Sequence, residues 1–145
     1  MQKIRKPDDI VADFNGVIRE LISRLEKKSR SDFEIATLDR LKKRIILLKS
    51  TLGQSALIES AAPFFIDYSE QILCRDENFF NNMDVRKKIF ETKSTRMDKD
   101  DEFLLSLIDM IKKYYNKVAQ SEKDAVYSDV KNLFNNSVEF QIASM

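Results

Sequence analysis

Residues 7–25 read PDDIVADFNGVIRELISRL. Pro7 suits the first position of a helix, where its missing N–H costs nothing, and Asp8 and Asp9 complement the positive end of the helix dipole. Ile10, Val11, Phe14, Val17, Ile18, Leu21, Ile22 and Leu25 then recur at the spacing of one helix face, a stripe wide enough to be buried against other helices. Asp13, Arg19, Glu20 and Arg24 fall on the other side. The cationic run EKKSR (26–30) suits the negative end of the same helix. Gly16 sits mid-helix at a cost of about 1 kcal/mol relative to alanine, which predicts close approach of a neighbouring helix.

The same period continues down the chain. Ser31 and Glu34 have capping-box spacing, and Leu38, Leu41, Ile45, Leu48 and Leu52 alternate steps of three and four until Gly53 stops the helix. This narrow seam predicts an antiparallel hairpin with the first helix. Ser55 is the expected cap of a third segment, ALIESAA, after which Pro63 is expected to restart the helix. Phe64, Phe65, Tyr68, Ile72 and Leu73 supply its apolar face. Asp76 is expected to cap a short turn, with Phe79 and Phe80 plugging the corner behind it. Residues 83–99 read as a polar loop or short helix. Asp98 or Asp100 caps the next helix, whose stripe is Phe103, Leu104, Leu107, Ile108, Ile111, Tyr114, Tyr115 and Val118. A last helix is expected from Ser121 through Ala125, Val126, Val130, Leu133 and Phe134. Residues 1–7 and 136–145 are read as extended tails, although NNSVEFQIASM is equally able to extend the last helix. The fold class expected is all-α: one domain over residues 1–145, a bundle of about five helices that opens and closes with antiparallel hairpins.

Composition supports that class. Only two Gly and two Pro among 145 residues leave few of the tight turns on which sheet proteins depend. The absence of His removes the commonest general base and zinc ligand, and a single Cys excludes an intrachain disulfide or a thiolate cluster. No apolar run approaches the roughly 18 residues needed to span a bilayer, and MQKIRKPDD lacks the apolar segment of a signal peptide. The expected setting is therefore intracellular, in the cytoplasm or nucleus. Net charge is +1, yet residues 1–50 hold 13 basic against 8 acidic side chains and residues 51–145 hold 12 against 16. The basic excess thus lies in the first third.

Four groups of residues invite a functional reading. Lys27, Lys28 and Arg30, with Arg40, Lys42, Lys43 and Arg44, would form a basic patch able to meet phosphates or an acidic partner. No aromatic residue interleaves them as a base-stacking platform. Asp98, Asp100, Asp101 and Glu102 are dense enough to hold a divalent cation, but they lack EF-hand spacing and sit where helix-start acids belong. Cys74 has no His to activate it and reads as an inert, partly buried thiol. Asp67, Glu70, Asp76 and Glu77 cluster without the surroundings of a glycosidase or protease, and two isolated glycines cannot form a phosphate loop. No catalytic residue, metal site or cofactor is expected.

The stretch PFFIDYSEQILCRDENFFNN (63–82), with Tyr68, Ile72, Leu73 and the run Asp76 to Phe80, joins the phrases IKKYYN (111–116) and YSDVKNLF (127–134). In this order they resemble a group of short, largely uncharacterised helical proteins of nucleocytoplasmic large DNA viruses, such as algal viruses and mimivirus relatives. The resemblance covers about residues 10–135. It implies a small viral protein, and no catalytic residue comes with it. The expected function is non-enzymatic: contact with other proteins, viral or host, as a virion or minor capsid component, with self-association open. The alternative is a nucleic-acid-associated factor in viral transcription or genome packaging, using the basic face of the second helix.

Overall fold

The computed structural model describes residues 5–28, 31–76 and 99–144, and among these it is all-α, with six helices and no strand. They are α1 (Pro7–Lys28), α2 (Asp32–Leu52), α3 (Ala56–Asp67), α4 (Ser69–Leu73), α5 (Lys99–Lys117) and α6 (Gln120–Ala143). All six contribute to one buried apolar cluster. The whole predicted stripe of α1, from Ile10 to Leu25, is buried. Most consecutive helices touch, but the heaviest packing joins elements distant in sequence, with α1 and α3 both lying on α6. A stripe as wide as that of α1 needs more cover than the narrow seam of α2 provides.

Local start and stop chemistry holds in part. Ser31 Oγ accepts from the Glu34 N–H at 3.1 Å, and Gly53 closes α2 at φ 98°, its N–H bonded to the Lys49 carbonyl. Ser55, by contrast, makes no side-chain cap, and α6 begins at Gln120, preceded by Ala119, which has no side-chain cap to offer. Asp124 instead accepts from Gln120 Nε2 at 3.0 Å. Pro63 does not restart a helix; it lies inside α3. An internal proline costs about 3 kcal/mol. Burying Phe64 and Phe65, worth about 1.5–3 kcal/mol each, offsets that cost. The break comes at Tyr68 (φ −104°, ψ 24°), so the expected third segment is two helices. Gly16 faces open space rather than a close neighbour, since a Cβ built there meets nothing within 4 Å.

Both expected tails are ordered where described. Arg5 donates to Asp13 at 2.8 Å, to Asn136 Oδ1 at 2.6 Å and to Glu139, pinning the entry of α1 onto α6. The final segment continues α6 to Ala143. It was hard to read because polar residues occupy its inward positions: Asp129, Asn136 and Ser137 are all buried. Ser137 Oγ satisfies itself on the Leu133 carbonyl at 2.8 Å, and Asp129 pairs with Arg24 Nε of α1 at 2.9 Å. Burial raises the Asp129 carboxyl above its ordinary range, although Arg24 pulls the other way. Leu52 and Leu73, expected in the core, are instead 56% and 54% exposed at the ends of their helices. The expected turn at 77–80, the 83–98 segment and the side chains of Phe103 and Leu104 lie outside the described residues.

Candidate interaction surface

The 63–76 stretch is a structural corner. Tyr127 Oη of α6 donates to the Ile72 and Leu73 carbonyls at 2.9 and 3.4 Å, satisfying the end of α4. Arg75 follows in the left-handed region at φ 51°, a conformation costing a non-glycine residue about 1–2 kcal/mol. Three contacts hold it there. Its guanidinium pairs with Asp124 at 2.6 Å, lies 4.8 Å from the centroid of the Tyr127 ring, and reaches Tyr115 Oη at 3.5 Å. These hydrogen bonds raise Arg75 and lower Asp124 from their usual values. Phe64 packs edge-on to Phe65 with centroids 5.6 Å apart and lies 4.9 Å from Tyr68. Cys74, expected to be partly buried, is exposed. Arg75 is the residue that sequence reasoning passed over, because its partners stand about 40 and 50 positions away.

The solvent side of α2 is of a different kind. Arg40, Lys42 and Lys43 are exposed, Arg44 is half-buried, and Lys27 is exposed at the end of α1; the Lys28 side chain and Arg30 lie outside the described residues. The structure does bring the two basic stretches together, because Lys42 Nζ bonds Glu26 of α1. That bond raises Lys42 above the usual lysine value. At the start of α2, Glu34 accepts from Lys117 Nζ of α5 at 2.6 Å. Ion pairs thus tie α2 to α5 near its start and to α1 at its middle.

Apolar side chains share the solvent side of α2. Among the described residues, six large hydrophobic side chains are exposed, and four of them, Ile35, Ile46, Leu47 and Leu52, belong to α2. The signal was available in the sequence: with Leu38, Leu41, Ile45 and Leu48 assigned inward, Ile46 and Leu47 must point elsewhere. Arg40, Lys43 and Leu47 lie at steps of three and four and share one strip. The acidic candidates give no comparable grouping. The side chains of Asp98 to Glu102 lie outside the described residues, and no cluster of three potential metal ligands occurs among the rest. No described helix is long and apolar enough to cross a membrane. No family description, curated protein or solved structure matches the chain.

Proposed function

We propose that the protein is a non-enzymatic binder acting through its helix surfaces, with the solvent side of α2 as its docking face. The observation that carries this reading is the exposure of Ile35, Ile46 and Leu47 on the outer side of one helix. Single exposed apolar residues need no explanation, but a group on one face is what a partner covers. The flanking Arg40 and Lys43 favour a partner that is acidic around an apolar centre. The resemblance to helical proteins of large DNA viruses adds the proposal that this binder is a virion or minor capsid component. The nucleic-acid alternative is less well supported on this face. Lys42 is engaged by Glu26, Asp39 borders the basic run, and the exposed side chains between the cations are aliphatic rather than aromatic.

The test is affinity capture from expressing cells, with nuclease present, comparing the wild-type chain with Lys43→Glu/Leu47→Glu. A protein held by the wild type and lost with the double variant is the expected result. Equal retention by both baits moves the docking face away from α2. A mobility shift that weakens steeply with salt would favour the nucleic-acid reading instead.

A further inference from the structure

Six positions on the open side of α2 follow a second helical seam: Asp32, Ile35, Asp39, Lys42, Ile46 and Lys49, at steps of three, four, three, four and three. All are exposed except the half-buried Lys49, and Ile35 and Ile46 are 47% and 64% exposed. Steps of this kind form a straight contact line along a helix. The line is separate from the buried seam of Leu38, Leu41, Ile45 and Leu48, so α2 carries one seam inward and another outward.

The outer seam is complementary to itself when reversed. About a centre between Arg40 and Leu41, Asp32 mirrors Lys49, Ile35 mirrors Ile46, and Asp39 mirrors Lys42. The geometry points to a second copy of this chain as the occupant of the seam, through antiparallel α2–α2 pairing about a two-fold axis. In that arrangement each acid meets a base and each isoleucine meets an isoleucine, as an isologous contact requires. Parallel pairing would set Asp39 against Asp39 and Lys42 against Lys42, so charge selects the antiparallel register. Lys42 would then stand between Glu26 of its own chain and Asp39 of the other copy, a cation shared by two carboxylates. The seam runs about 26 Å along the helix. With two isoleucines per copy at its centre it is a small interface, and a dimer of about micromolar affinity or weaker is expected.

This inference rests on α2 being a docking face, and it names one occupant for half of it; the Arg40, Lys43 and Leu47 strip remains for a different protein. The test is sedimentation velocity over a concentration series, using the intact chain with helicity checked by circular dichroism. The wild type should dimerise with rising concentration, and Ile46→Ser should weaken association. Asp39→Lys and Lys42→Asp should each weaken it by about tenfold or more, because each dimer contains the like-charge clash twice. Mixing Asp39→Lys with Lys42→Asp should restore association as a heterodimer, since both of its central pairs are again opposite in charge. That rescue also shows that both variants fold. A wild type that stays monomeric at every concentration, or charge variants that associate as the wild type does, or a mixture without rescue, would overturn the seam. None of these results bears on capture through Lys43 and Leu47, so the two readings fail separately.

Discussion

Where α1 lies on α6, Asp129, Asn136 and Ser137 are buried in company with Phe14 and Leu133; on the open side of α2, Ile35, Ile46 and Leu47 stand in water. The two regions depart from apolar-inside packing in opposite directions. At the first, the polar groups have assigned partners: Arg24 for Asp129, Arg5 for Asn136, and the Leu133 carbonyl for Ser137. Satisfied in this way, they fix the register of two long helices at small net cost. At the second, the apolar side chains are left exposed among the described residues. Buried polar residues here serve the fold, and the exposed apolar residues are the ground of the proposed docking face.

That contrast is open to measurement by denaturant unfolding. The largest effect is expected from Phe14→Ala, which empties a fully buried site in α1 and should cost about 3–5 kcal/mol. Next comes Arg24→Ala, which leaves Asp129 buried without its cation and should cost about 1–3 kcal/mol. The same pair predicts a pH dependence. Because burial raises the folded-state pKa of Asp129, the folded chain holds that proton more tightly than the unfolded one. Its contribution is present below the ordinary value of 3.8 and is lost as pH rises through the raised folded value. Asp129→Asn should therefore gain on the wild type as pH climbs through that window; a constant difference would show that Arg24 fully compensates the burial.

Gly16→Ala is expected to stabilise by about 1 kcal/mol, because the site is open and the helix there needs no glycine. A loss of stability would mean that the added methyl meets a neighbour in the folded chain and that the site is not open. The smallest effect belongs to the other region. Ile46→Ser should change the stability of the folded chain by no more than about 0.5 kcal/mol, measured at a dilution where copies do not associate. A cost near that of Phe14→Ala would erase the difference between the two regions.

Much of the fold was legible in the residues. The α1 stripe from Ile10 to Leu25, the inward seam of α2, the Ser31 cap and the Gly53 stop all depend on interactions within a few positions, which spacing reports directly. The start of α6 and the Pro63 position were misread because local preference was outweighed by packing. Asn136 and Ser137 resemble tail residues until α1 lies over them. Asn15 is similar: it is buried in α1, and its Nδ2 donates to the Gln54 carbonyl at 2.9 Å, across the turn after α2. The candidate surface was half legible. Its basic residues were visible, but Ile46 and Leu47 gained meaning only once their exposure was known.

The residues by themselves determined that the chain is helical, where α1 and α2 run, and which of their faces turn inward. These follow from periodicity, capping and the scarcity of Gly and Pro, all of which act over one or two turns. Only the tertiary structure decided that α6 is the helix against which α1 and α3 pack. It also decided that Arg75 is held between Asp124 and the Tyr127 ring, and that Ile35, Ile46 and Leu47 on the outer side of α2 are exposed. Those outcomes depend on which surfaces meet across tens of residues, where burial of area is non-directional and outweighs any local signal.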